Sequence, residues 1–255
     1  MLPAGKKSKM VSALKDYKKK FLNSKVVDLD ESGTRLMINS FLTDILCYLS
    51  LEEVKTEYMI KGTYADYVVQ LKGVRHFLVE VKALSLSLSD KHLRQAINYG
   101  ANEGIEWALL TNGRHFELYK ILFQKPIDSK LVLSVDLSSD INPKKIIEHL
   151  QFLHKDAVNK KGLTLLWNKH EALDPTTLAG LLYSKPVTNF IKKEIKKKFK
   201  TKVDDAEITT AVNSLVTQAI NLDDVKHFRT KSSKKIPKTK ELTVGSSLQN
   251  PSQGG

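Results

Sequence analysis

Two strand-forming runs, Tyr64-Ala65-Asp66-Tyr67-Val68-Val69 and Phe77-Leu78-Val79-Glu80-Val81-Lys82-Ala83, flank a polar break containing Lys72-Gly73. β-Branched and aromatic residues at that density, interrupted by a turn signal, specify a β-hairpin. Side chains alternate along a strand, so Val79 and Val81 enter one face while Glu80 and Lys82 leave from the other. With Asp66 lying across from them on the first strand, two carboxylates and an ammonium meet at one spot.

The flanking segments supply the rest of a mixed layer. Acidic Asp28, Asp30 and Glu31 suit the positive end of a helix dipole. Behind them Ile38, Phe41, Leu42, Ile45, Leu46 and Leu49 recur with a period near 3.6, which specifies a core helix. Glu31 and Arg35, four apart, make an ordinary helical ion pair. Glu57 to Ile60 reads as the strand preceding the hairpin. Leu84 to Ser89 alternates too strictly for a helix; beyond it Ser89 or Asp90 caps a helix carrying Leu93, Ala96, Ile97 and Gly100, closed by Gly104. Glu106 to Thr111 and His115 to Lys120 are strands joined at Asn112-Gly113, a strong hairpin signal. Leu131 to Val135 adds a strand, and Asn142-Pro143 opens a helix reaching about Leu153. Helices alternating with strands in this order predict an α/β fold, with a mixed β-sheet flanked by helices over residues 27–155.

Outside that core the chain is basic and helical. Residues 1–26 hold many lysines around Val11, Leu14, Tyr17, Phe21 and Leu22, a basic amphipathic helix that either packs its thin apolar stripe on the domain or serves as a DNA-binding arm. Residues 156–225 form a helical appendage. Val187, Phe190, Ile191, Ile195 and Phe199 make one apolar stripe there, and Ile208, Val212, Leu215, Val216 and Ile220 another. Lys192, Lys193, Lys196, Lys197 and Lys200 occupy the remaining surface of the first of these helices, as a phosphate-contacting face or simply a solubilising one. Residues 226–255 read as a disordered basic tail.

Charge narrows the range of partners. Lys+Arg 41 against Asp+Glu 28 leaves a formal +13 at pH 7, which favours a polyanion, either nucleic acid or an acidic membrane surface. No apolar run approaches a membrane span or a secretory signal, so the cytoplasm is the expected compartment and a membrane is not an expected partner. The single cysteine, Cys47, lies among apolar residues, which predicts a buried thiol and rules out a multi-cysteine zinc site. The seven histidines show no His-x-x-x-His pairing, and neither a nucleophile elbow nor a dinucleotide fingerprint occurs.

The central polar trio has a specific chemistry open to it. Phosphodiester hydrolysis needs charge neutralised on the phosphate and a nucleophilic water at neutral pH, and a hard divalent cation such as Mg²⁺ provides both from one or two carboxylates plus water. Asp66 and Glu80 are candidate metal ligands, the Val81 carbonyl a further oxygen, and Lys82 a group to orient water or stabilise the transition state. Taken alone, Glu-x-Lys is more often an exposed cross-face pair on a half-buried strand.

The order of these motifs adds weight. Glu31 with Arg35, Gly62-Thr63-Tyr64-Ala65-Asp66-Tyr67, Val79-Glu80-Val81-Lys82-Ala83, Gln95 with Tyr99, and Trp107 through Gly113 resemble the N-terminal nuclease domain of the type I restriction enzyme R subunit. That domain belongs to the PD-(D/E)xK superfamily of restriction-endonuclease-like folds. The resemblance spans about Asp28 to Tyr119; Ala65 replaces the proline of the superfamily pattern. It implies a Mg²⁺-dependent endonuclease, with Mn²⁺ as a substitute ion and DNA favoured over RNA. Asp66 and Glu80 would hold the metal and Lys82 would be catalytic, with Gln95 an auxiliary group and Glu31 an outer or second-metal carboxylate. A restriction or phage-defence role is implied, a homo-oligomer is left open, and a motor or defence-system partner would be separate, because the chain has no phosphate-binding Gly-x-x-x-x-Gly-Lys-[Ser/Thr] loop. A different class of reading is a non-catalytic nucleic-acid-binding or assembly module that keeps the fold.

Overall fold

The computed structural model describes residues 1–23, 29–49, 51–60, 63–138 and 140–217. Asp28, Gly62, Ile220 and the basic tail from residue 226 lie outside the described residues. Two compact units divide the chain, Met1–Ala172 and Leu173–Gly255.

The hairpin is present, with β2 (Thr63–Leu71) and β3 (Val74–Val81) antiparallel and Leu71 opposite Val74. Lys72 and Gly73 form its two-residue turn at φ 52° and 77°, the double left-handed geometry that matches strand twist. Four further strands, β1 (Val54–Ile60), β4 (Trp107–Thr111), β5 (His115–Leu122) and β6 (Asp128–Asp136), complete a six-stranded sheet in the order β1-β2-β3-β4-β5-β6. All neighbours are antiparallel except β3 and β4. Parallel neighbours need a crossover, which α3 (Asp90–Glu103) supplies. The result is a mixed six-stranded sheet flanked by helices, the architecture expected of a restriction-endonuclease-like core.

Strand alternation separates two apolar clusters. Tyr67, Val69, Phe77, Val79, Val81, Leu109, Phe116 and Leu118 join the larger one, with Met37, Ile38 and Phe41 from α2 (Glu31–Ser40) and the π-helical turn Phe41–Ile45 that continues it. Ile146, Ile147 and Leu150 of α4 (Pro143–Leu150) enter the same cluster, and Asn142 caps that helix by accepting from the Lys144 N–H. Val68, Leu78, Ala108 and Ile121 instead pack with Ala96 and Tyr99 of α3. Gly100 permits this approach. A Cβ there would lie 2.3 Å from Ile121 Cδ1 and 2.7 Å from the Ile105 carbonyl.

The basic N-terminal segment forms α1 (Ala4–Phe21), which is a layer of the core. Met10, Leu14 and Tyr17 are buried, and the Tyr17 hydroxyl donates to the Gly113 carbonyl at 2.9 Å. Each such buried apolar side chain contributes roughly 1.5–3 kcal/mol. Lysines on its flank pair outward, Lys7 with Glu148 at 3.0 Å and Lys6 with Asp156.

Cys47 corrects an expectation: it is exposed, not buried. Its backbone is left-handed at φ 64°, and the Tyr48 N–H donates to the Leu42 carbonyl six residues back at 3.0 Å. This helix-closing turn reverses the chain at Cys47, sends Tyr48 inward and leaves Leu49 outside. The helical stripe therefore ends at Leu46.

The first unit continues through α5 (Lys155–Asn159) and α6 (Gly162–Ala172). The second contains α7 (Pro175–Leu182), α8 (Lys185–Phe199) and α9 (Asp205–Thr217) around Ala179, Ile208, Val212 and Val216. Ile191 and Ile195 pack against that core, whereas Phe190, Phe199 and Leu215 are more than 60% exposed, at 63%, 64% and 66%. The buried stripe is thus shorter and narrower than the sequence spacing implies, because Phe190 lies about 100° round the helix from Ile191 and Phe199 is the last residue of α8. No described helix is long and apolar enough to cross a membrane.

Candidate active site

The β2–β3 ladder ends at Tyr67 opposite Val79, one residue short of Asp66 and Glu80. At that end side chains replace backbone pairing, and the Val81 N–H donates to Asp66 Oδ2 at 2.7 Å. Past β3 the chain stays anchored on its other side, where the Lys82 N–H donates to the Thr111 carbonyl of β4 at 2.8 Å. Sheet pairing thereby fixes the backbone on either side of the polar trio.

All three trio members are buried, with Asp66 and Lys82 7% exposed and Glu80 1%. Lys82 Nζ lies 2.5 Å from Glu80 Oε1 and 3.7 Å from Glu31 Oε2. Arg35 Nη2 lies 2.7 Å from Asp66 Oδ1 and 3.0 Å from Glu31 Oε1. The first turn of α2 thus reaches both strands. Glu31, Asp66, Glu80 and Lys82, expected together, belong to one charged network.

An open cleft of about 540 Å³ adjoins it, lined by Glu31, Arg35, Asp66, Glu80, Gln95 and Tyr99 among others. Gln95 lies on α3 and its amide donates to the Tyr99 hydroxyl at 2.9 Å. That i,i+4 bond orients both side chains on one face of the helix.

Burial sets the electrostatics. It pushes the Glu80 carboxyl up to about 7, with the Lys82 hydrogen bond opposing and nearby Asp66 reinforcing the shift. Burial also raises Asp66, opposed by the Val81 N–H and by Arg35. For Lys82 burial works against the charge, but Glu80, Glu31 and Asp66 together outweigh it and raise its pKa. The ammonium therefore stays charged beside Asp66 and Glu80, the two carboxyls that burial makes reluctant to ionise.

One atom is left over. Glu80 Oε2 is buried with no hydrogen-bond partner. A buried carboxylate oxygen without a partner is costly, and such an exception calls for a missing proton, water or cation. Two hard oxygen donors with an orphaned lone pair fit Mg²⁺, which binds through one or two carboxylates and keeps waters. Among the described residues no three His, Cys, Asp or Glu side chains gather into a ligand cluster, so water and phosphate oxygens would complete the shell.

Three participants escaped the sequence reading. Arg35 was legible only as a partner of Glu31, since nothing local shows a contact with Asp66 31 positions away. Glu57 has φ 47° within β1, in a ladder that pairs Thr56 with Tyr67 and Tyr58 with Ala65 and omits Glu57. The register is the same on both sides, so Glu57 is a left-handed kink opposite Asp66 with no inserted residue, and its Oε1 lies 3.6 Å from Arg35 Nη1. Tyr64, at the start of β2, lines the cleft. The lysines expected to contact nucleic acid, Lys192, Lys193, Lys196, Lys197 and Lys200, lie on α8 and its C-cap in the second unit, and Lys192 pairs with Asp205.

Comparison with known proteins bears on the same segment. Residues 31–128 match the family described as type I restriction enzyme R protein N terminus, covering α2, the hairpin, α3 and β4 through β5. No curated protein and no solved structure gives a match to the chain. The segment that carries the charged network is thus similar to the N terminus of type I restriction enzyme R proteins.

Proposed function

We propose that the protein is a Mg²⁺-dependent nuclease that hydrolyses phosphodiester bonds, with DNA as the favoured substrate. The observation that carries this reading is the buried Asp66–Glu80–Lys82 trio with its unpartnered Glu80 oxygen at the edge of an open cleft. The family match to a restriction enzyme subunit supports it.

Asp66 and Glu80 would hold the ion, and a divalent cation bound there supplies charge neutralisation on the phosphate and lowers the pKa of water. The chain's own groups do the rest. Asp66 accepts from the Val81 N–H through Oδ2, so one of its two oxygens is fixed by backbone. Lys82 stays protonated beside Glu80 and presents a fixed positive charge where negative charge develops on the phosphate. Gln95, tied to Tyr99, offers an amide to orient water or a phosphate oxygen. Glu31 holds Lys82 and Arg35 from the α2 side as an outer carboxylate.

The family also supports a place in a restriction or defence assembly. The test is a cleavage assay with Mg²⁺ or Mn²⁺ on duplex DNA, single-stranded DNA and RNA, comparing the wild type with Lys82→Ala. Cleavage of duplex DNA that disappears in the variant is the expected result. Equal cleavage by the two proteins would remove the catalytic assignment.

A further inference from the structure

Arg35 lines the cleft with a positive charge that the chemistry above does not use. Its guanidinium touches Asp66 and Glu31 at 2.7 and 3.0 Å and stands 3.6 Å from Glu57. The guanidinium thus bridges three carboxylates, one of them the proposed metal ligand Asp66. It also competes directly for ligands. Asp66 has two oxygens; one accepts from the Val81 N–H and the other from Arg35.

Two features make this an exchangeable contact rather than a structural clamp. Arg35 Nε is buried without a partner, so the guanidinium is incompletely satisfied where it sits. Its side chain is 31% exposed and borders the cleft, while its backbone is held separately by the Tyr67 hydroxyl, which donates to the Arg35 carbonyl at 2.8 Å. The side chain can therefore move without disturbing α2.

We infer that Arg35 is a positioning residue that acts as a resident cation, holding Asp66 in the metal-free protein and exchanging with the divalent ion when the site is loaded. The inference rests on the reading of Asp66 and Glu80 as metal ligands. On exchange, Asp66 Oδ1 passes to the metal and the guanidinium falls back on Glu31 and Glu57. Arg35 thus keeps the acidic groups together when no metal is present. In doing so it lowers metal affinity, because each binding event must break a charge-assisted hydrogen bond.

The test measures Mn²⁺ binding to the full chain without nucleic acid, from the electron paramagnetic resonance signal of the free ion. Wild type is compared with Arg35→Met, Arg35→Gln and Asp66→Asn, with circular dichroism confirming the fold. Both arginine variants are expected to bind Mn²⁺ about tenfold more tightly, and Asp66→Asn to lose binding. Arginine variants that bind no more tightly than wild type, while Asp66→Asn still loses binding, would overturn the exchange and leave the metal site standing. If Asp66→Asn binds like wild type, the metal assignment fails and the exchange fails with it. Arg35→Gln keeps a donor for Asp66 and carries the test should Arg35→Met not fold. The unaltered protein gives a second reading by side-chain NMR. The Arg35 Nε resonance should move on titration with Mg²⁺, and a resonance that stays put while other cleft signals shift would overturn the exchange.

Discussion

The molecule carries charge in two contrasting ways. In the first unit Asp66, Glu80 and Lys82 are at least nine-tenths buried, and Glu80 keeps an oxygen with no partner. In the second, α8 displays Lys193, Lys196, Lys197 and Lys200 on an exposed surface. Exposed charge costs little and is screened by salt within about 10 Å at 0.1 M, so it needs no special explanation. Buried charge is expensive, and its retention means that something must be gained from it. The buried cluster is where chemistry is expected, and the exposed helix is where only long-range attraction is.

The sharpest test of that contrast is to remove charge from each region separately. Asp66→Asn, Glu80→Gln and Lys82→Ala are each expected to lower metal-dependent cleavage roughly 10²–10³-fold or more, measured at saturating DNA, while circular dichroism and DNA affinity stay close to wild type. A loss confined to DNA affinity would place the trio in binding rather than in catalysis.

A smaller effect is expected on α8. Replacing Lys193, Lys196, Lys197 and Lys200 together by Gln should weaken duplex binding about tenfold at moderate salt. It should also make the plot of log affinity against log salt shallower by about 2–4 units of slope, since each lost phosphate contact removes about 0.9. Cleavage at saturating DNA should not change. Unaltered affinity and slope would assign those lysines to solubility alone.

The same contrast explains how much could be read from the sequence. Asp66, Glu80 and Lys82 were legible because period-2 alternation around Val79 and Val81 places them on one face, and Val79 and Val81 do enter the larger apolar cluster. The Lys72-Gly73 turn was legible because Gly73 suits a left-handed position between two strand-forming runs. Arg35 was not, because its contact with Asp66 arises only when α2 packs over the end of the sheet. Glu57 was hidden for a different reason: its left-handed backbone carries no glycine to announce it. Cys47 misled because apolar neighbours imply burial only while the helix continues, and here a closing turn intervenes. On α8 the apolar spacing fitted a stripe that included Phe190 and Phe199, yet Ile191 and Ile195 pack against the core while Phe190 and the helix-ending Phe199 stay exposed.

The smallest effect concerns stability and reaches the reason why the buried cluster differs from α8. Burial lifts the Glu80 carboxyl to about 7, well above its ordinary value of 4.5. A carboxyl whose folded pKa is raised binds its proton more tightly in the folded state. Its contribution is therefore fully present below about pH 4.5 and is lost as pH rises through about 7. Glu80→Gln removes the titrating group while keeping a polar side chain of similar shape beside Lys82. In the presence of a chelator, the variant should gain on the wild type as pH rises across that window, by on the order of 1 kcal/mol or a few degrees in Tm. Thermal melts at pH 4.5, 6 and 7.5 measure the difference, and taking it pairwise cancels the groups elsewhere that titrate in the same range. A gap that stays constant with pH would mean that Glu80 is already compensated by Lys82 in the metal-free fold. The buried cluster would then resemble the exposed helix in its energetics, and its unpartnered oxygen would no longer favour a cation.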